Sequence, residues 1–480
     1  MPPDPDAAAP ASGRRIAFST TSLTGSTIVI ALLGVVVLRL LTQHLGQSSY
    51  GIVVTALSIV TTVMAVTDLG VSSTIGRDLA RDRAQASSVL GAALGLRLAI
   101  SLLALPLVAL FAAVAYHGHP AQLRWAIVAI ALAIPFDALR AVLSGLFVAR
   151  VENHILALVN LAQQAAFVGF VAAAVLLGGG VLWVCAAYVG SQALAAALLA
   201  IAAARRVPLR LRLDPRGWRS QLAVSSSIGV VRIVNIVYLR ADSVLLSLLQ
   251  PLHAVALYGV AYAITSFLVG VPDAYAQSLL PSFTTTDDAK LDPLLRQATA
   301  TAVTIGSLLA AGTWCVGPGV ITLLAGPSYA GAGRPLQILA ISVVLTALTS
   351  IFGFATFSRG AHRPLVWVGL ATLALNVGVN LLVIPRFGVV GAASVVVASE
   401  AVMALGTWIV LRRATELRLP VLRLCSRPVL AALVTVGLLR GVFGLVPQHL
   451  GAIALVGLAV VGCYAVVLAA TGGGRILRRR

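Results

Sequence analysis

Apolar stretches of about twenty residues, each long enough to cross a bilayer as a helix, recur along the whole of this chain. Lipid offers the backbone no hydrogen-bond partner, and a helix satisfies its own. The spans fall near 17–38, 50–68, 88–115, 124–149, 156–177 and 181–203, then 221–249, 255–280, 297–325, 335–357, 364–384 and 388–411. A last pair lies near 428–446 and 451–470. The reading is an all-α polytopic membrane protein with about fourteen transmembrane helices.

Charge placement orients those spans. The chain is 59% hydrophobic and 10% charged, where a soluble domain carries about 25% charged residues. Its net charge of +19 comes mostly from arginines in short gaps between spans. With both termini cytoplasmic, "GRDLARDR", "RRVPLRLRLDPRGWR", "RRATELRLPVLRLCSR" and the tail "RILRRR" face inward, and the outward gaps keep Arg39, Arg124, Arg334 and Arg386. Such asymmetry is the positive-inside pattern. It favours anionic membrane lipids as partners and speaks against nucleic acid. The four cysteines are scattered without metal-ligand or disulfide spacing, as small apolar residues would be.

The chain also repeats at an offset near 208 residues. "SSYGIVVTALSIVTTVMAVTDLG" aligns with "ALYGVAYAITSFLVGVPDAYA", placing Tyr50 and Gly51 on Tyr258 and Gly259. Further on, "LFVARVEN" matches "ATFSRGAH", so Arg150 falls on Arg359 and Gly179 on Gly388. The expected organisation is a disordered Pro/Ala-rich start (1–13), an N-lobe of six helices (14–204) and a basic cytoplasmic linker (205–220). A C-lobe of six helices (221–412) follows, then a cytoplasmic loop, two helices and a basic tail (413–480). Paired repeats of this kind favour rocking bundles around a central site, as in transporters.

The short connections exclude much else. No gap exceeds roughly twenty residues, and Walker A, HExxH and GxSxG motifs are missing. A transporter is expected rather than an enzyme.

Four segments then carry a resemblance. "HLGQSSYGIVVTALSIVTTVMAVTDLGVSSTIGRDLAR", "LRADSVLLSLL" with "VALYGVAYAITSFLVGVPDAYAQSLLPSF", "AGPSYAGAGRPLQILAISVVL" and "NVGVNLLVIPRFGVVGAASVVVASE" occur in that order. Together, over roughly residues 15 to 415, they resemble polysaccharide and O-antigen flippases of the multidrug/oligosaccharidyl-lipid/polysaccharide exporter superfamily. The resemblance implies a two-lobed, V-shaped bundle in a bacterial plasma membrane. It further implies that the cargo is an undecaprenyl-pyrophosphate-linked oligosaccharide moved from the inner to the outer leaflet by alternating access. Other membrane proteins of glycan assembly are candidate partners. Related lipid II flippases carry charges in their first span, and "AFSTTSLTGSTIVIALLGVVVL" has none. A lipid II flippase and a cation-coupled small-molecule exporter remain the alternatives.

Charges inside spans are costly and mark function by default. On the seventh span Arg232 and Arg240 lie about 16 and 28 Å from its cytoplasmic end on a helical rise. Guanidinium forks at two depths suit a lipid pyrophosphate, and pairing across helices is the competing role. Asp242 lies about 160° around the helix from Arg240 and shares a stripe with Asn235 and Tyr238. It could orient an arginine or carry a coupling proton. Asp137 and Arg140, three apart on the fourth span, are placed to pair. Arg97 stands about 14 Å into the third span with no carboxylate near it in sequence, a candidate for the substrate cavity. Asp68 reads as a solvated cap for the loop after it. Asp273, after Pro272, is a candidate gate or cation ligand, and Glu400, deep in its span, is the candidate proton carrier. Asn376, Asn380, Gln163 and Gln164 read as interhelical hydrogen-bonding residues. No cofactor is expected, and a proton or sodium gradient is the candidate driving force.

Overall fold

A computed structural model describes residues 13–81, 86–209, 211–286, 288–415, 417, 419–443 and 450–471. Among these residues every regular element is helical, with no strand. Eleven stretches are long and apolar enough to cross a membrane. Two of them, Val29–Asp68 and Arg363–Thr415, run 40 and 53 residues, about twice what one crossing needs. Each lies in a helix that kinks at a glycine of positive φ, Gly46 at 72° and Gly388 at 53°. Only glycine takes such a conformation without steric cost. The sequence reading separates two spans at each of these places.

The chain forms two compact units, one ending at Ile236 and the other beginning at Val237. In the first, α1 (Gly13–Asp68) is followed by α2 (Val71–Arg81), α3 (Ala86–Ala115) and α4 (Ala121–Ala131). Then come α5 (Ile134–Ala149), α6 (Asn153–Leu176) and α7 (Val181–Ala204). Helix α1 packs on α4 and α6, while α5 packs on α2, α3 and α7. Leu90, Leu143, Phe147 and Leu199 form the core between them. Pro135 enters α5 in its first turn, and the break from α4 falls just before it, because proline supplies no N–H to continue the ladder.

The boundary between units lies inside α8 (Pro215–Leu249) rather than in the basic segment 205–220. That segment is tied to the first unit. Arg206 bonds Glu152 at 2.8 Å, Arg212 N–H donates to the Gly91 carbonyl and Trp218 Nε1 to that of Ala92. Further along α8, Gly229 backs onto Leu69 and Gly70, where the chain turns from α1 into α2. A methyl group at Gly229 would run into the Leu69 carbonyl.

The second unit contains α9 (Leu252–Ser278), α10 (Leu280–Thr285) and α11 (Asp288–Ala325). A 3-10 turn (Pro327–Ala332) leads to α12 (Gly333–Ser358) and the long α13 (His362–Thr415). Helix α13 folds back on itself at Gly388, so Asn376 meets Ser399 and Val368 packs on Gly406. The kink frees the Ile384 carbonyl, and Gln250 Nε2 donates to it at 2.9 Å. Helix α12 is the central element, packed against α9, α11 and α13. The final pair, α14 (Val421–Phe443) and α15 (Leu450–Ala470), packs on α11, where the Tyr464 hydroxyl meets that of Ser307 at 2.7 Å.

The repeat extends to individual backbone hydrogen bonds. After α5, Val151 takes φ 57°, its N–H donates to Val148, and Glu152 N–H reaches back to Phe147. After α12, Gly360 takes φ 74°, its N–H donates to Phe357, and Ala361 N–H reaches Thr356. Every partner is displaced by the same offset that aligns Arg150 with Arg359. The two helices end in one and the same turn, which glycine satisfies in one copy and valine in the other.

Candidate functional site

The second unit gathers two buried carboxylates. Asp242 and Glu400 are 4% and 8% exposed. A buried charge is tolerated when it is paired and hydrogen-bonded, yet among the described residues neither acid joins a salt bridge. Their partners are neutral. Asn380 Nδ2 donates to Asp242 Oδ1 at 2.6 Å and to Asn376 Oδ1 at 3.1 Å. Asn376 Nδ2 in turn donates to Ser399 at 3.2 Å, and the Tyr258 hydroxyl stands 3.4 Å from Asp242 Oδ2.

Helical spacing explains the assembly. Tyr238 and Asp242 are four apart on α8, Asn376 and Asn380 four apart on α13, so each pair lies on one face. Tyr238 donates its hydroxyl to Glu400 at 2.9 Å, and Thr346 of α12 donates to the other oxygen at 3.1 Å. Asn235, on the same sequence stripe as Tyr238 and Asp242, is exposed.

One acceptor is left over. Asn380 spends its amide hydrogens on Asp242 and Asn376, and its own buried oxygen has no hydrogen-bond partner among the described residues. A carboxylate and an amide oxygen are both of the oxygen type that hard cations prefer as ligands. The same carboxylate could instead hold a proton.

Arg240 is held differently. Its guanidinium lies 5.9 Å from the centre of the Tyr262 ring, and Tyr262 stacks on Tyr258 with centroids 5.9 Å apart. The Tyr262 hydroxyl is occupied with the Leu239 carbonyl at 2.9 Å. A ring face steadies a cation without neutralising it, and among the described residues Arg240 has no carboxylate partner. The side chain of Arg232 lies outside the described residues. Asp273 accepts from Ser350 at 2.9 Å and from Gln277 at 3.2 Å, joining α9 to α12 just after the Pro272 interruption.

In the first unit Arg97 pairs with Asp68 and Arg140 with Asp137. Arg97, 1% exposed, meets Asp68 at 3.4 Å. Asp68 also accepts the Ser72 hydroxyl across the Leu69–Gly70 turn, a side-chain contact with the first turn of α2. It does so from a buried position, not from solvent as the sequence implies, because α3 brings Arg97 against it. Arg140 and Asp137 bond at 2.8 Å, the i, i+3 pair that their spacing predicts.

Sequence reasoning sets Tyr238 on the stripe of Asp242 without finding its contact to Glu400, and it leaves Tyr258 and Tyr262 out of the site, where they contact Asp242 and Arg240 respectively. The available signal was their spacing, four residues from Asp242 for Tyr238 and four from each other for the second pair.

Comparison with known proteins follows the same lines. The lipid II flippase MurJ, in an inward closed conformation, superimposes with a TM-score of 0.82 at 11% identity, covering 95% of this chain and 99% of that one. An inward-facing multidrug resistance transporter of the MATE family gives 0.65 at 14% identity, covering 83% and 98%. A probable flippase of Haloferax volcanii, AglR, is 26% identical over 185 residues, a match spanning 36% of this chain and 37% of that protein. Residues 16–286, more than half of the sequence, match the family described as polysaccharide biosynthesis protein. This chain, a multi-pass membrane protein on a transporter fold, therefore belongs to the polysaccharide biosynthesis protein family.

Proposed function

We propose that this protein is a flippase that moves a polyprenyl-(pyro)phosphate-linked oligosaccharide from the inner to the outer leaflet of the plasma membrane by alternating access. Both termini would lie in the cytoplasm, as the arginine distribution favours. The family match and the flippase named among its relatives support the transport class. The Arg240 guanidinium, set over the Tyr262 ring, supports a phosphorylated cargo. Inward movement of a cation onto Asp242 would drive the cycle.

The observation that carries this reading is Asp242 itself. It is a buried carboxylate on α8 that, among the described residues, has neutral donors only and stands beside an amide oxygen with no hydrogen-bond partner. A group so placed changes its interactions most when a cation or proton arrives. Binding can then shift a two-state equilibrium by its differential affinity for the two states.

A second reading, transport of lipid II, is favoured by the likeness to MurJ over nearly the whole chain. Reconstituted vesicles separate the two. With labelled lipid-linked oligosaccharide in one set and labelled lipid II in another, the proposal expects protein-dependent exposure of the oligosaccharide at the opposite leaflet. Exposure of lipid II alone would replace it with the second reading.

A further inference from the structure

Away from the acidic network, the first and last turns of α13 enclose a groove of about 440 Å³. Its walls include Trp367, Val368 and Ile409, and Gly406 lets Val368 approach closely. Arg363 and Arg413 line it from opposite arms of the folded helix. Among the described residues neither arginine joins a salt bridge.

Three features converge on one kind of ligand. Trp367 is 73% exposed, and an exposed tryptophan on a membrane helix belongs at the headgroup level. Arg363 lies one helical turn before it, in the first turn of α13, where backbone N–H groups lack intrahelical acceptors and favour an anion. Arg413 supplies a second guanidinium from the returning arm, while Val368 and Ile409 form an apolar wall. We propose that this groove is a binding site for an anionic glycerophospholipid. The phosphodiester would sit between Arg363 and Arg413, and an acyl chain would run along Trp367, Val368 and Ile409. Charge complementarity selects the anionic headgroup over a zwitterionic one, whose ammonium would meet two arginines.

Native mass spectrometry of the full-length protein tests this with dioleoyl phosphatidylglycerol and dioleoyl phosphatidylcholine offered separately. Wild type and Arg386→Gln, altered at the other end of the first arm, should retain phosphatidylglycerol about tenfold more strongly. Arg363→Gln/Arg413→Gln should fall to the phosphatidylcholine level. Equal retention of both lipids by wild type, or undiminished retention by the double variant, overturns the proposal. A photoactivatable phosphatidylglycerol needs no variant: its adduct should map to Trp367 or Ile409, and adducts confined to other helices contradict the site. Undecaprenyl phosphate displacing phosphatidylglycerol at equal concentration would also overturn it, assigning the groove to the carrier lipid instead.

Discussion

The Asn380 amide stands 2.6 Å from the Asp242 carboxylate and points its own oxygen into buried space without a partner. One side chain thus anchors the acid and leaves an acceptor beside it. The two residues, on α8 and α13, are 138 positions apart in sequence.

Arg97 and Asp68 provide the clearest stability test. Removing one member of a buried ion pair strands the other and costs about 3–5 kcal/mol, whereas replacing both with apolar residues can be neutral. Asp68→Ala should therefore destabilise the protein strongly, and Arg97→Met/Asp68→Leu should recover most of the loss. Thermal unfolding in detergent, arranged as a double-mutant cycle, checks the sign of the coupling.

Val151 occupies a left-handed turn that its counterpart Gly360 takes freely. A β-branched residue there carries about 1–3 kcal/mol of strain. Val151→Gly should stabilise the protein by about 1 kcal/mol net of glycine's extra chain entropy. Gly360→Val should do the opposite, and the pair of melting temperatures decides.

The Arg240 guanidinium lies over the face of Tyr262. Arg240→Ala should lower oligosaccharide translocation at least about tenfold, the scale of one charge-assisted contact, with membrane levels unchanged. Arg240→Lys should recover little, because a point charge does not reproduce the guanidinium fork. Initial rates in reconstituted vesicles give the comparison.

Glu400 is gripped by two hydroxyl donors, Tyr238 and Thr346. If it carries a proton through the cycle, Glu400→Gln should flatten the dependence of transport on pH while the protein remains folded. A pH profile of Glu400→Gln that tracks wild type assigns Glu400 a packing role.

Much of the architecture was legible because it depends on local chemistry. Span length and the 137–140 ion pair follow from near neighbours in sequence, and the Arg150–Arg359 register from the internal repeat. The stripe through Tyr238 and Asp242 follows from the helical period. What stayed hidden depends on tertiary contact. Nothing near Arg97 in sequence reveals Asp68, because the pair forms only when α1 and α3 meet. Asn376 and Asn380 are visible as hydrogen-bonding residues on one face, but their choice of Asp242 is set by how α13 lies against α8. Tyrosine adds a further ambiguity, since one ring can pack as a hydrocarbon and donate a hydrogen bond at its tip.

The most direct test imposes a sodium or a proton gradient on vesicles containing the protein and a labelled lipid-linked oligosaccharide, then compares wild type with Asp242→Asn. The proposal predicts that one of the two gradients accelerates wild-type translocation about tenfold or more, while Asp242→Asn stays at the rate seen without a gradient. An equal acceleration of both proteins, or a wild type indifferent to both gradients, would contradict it.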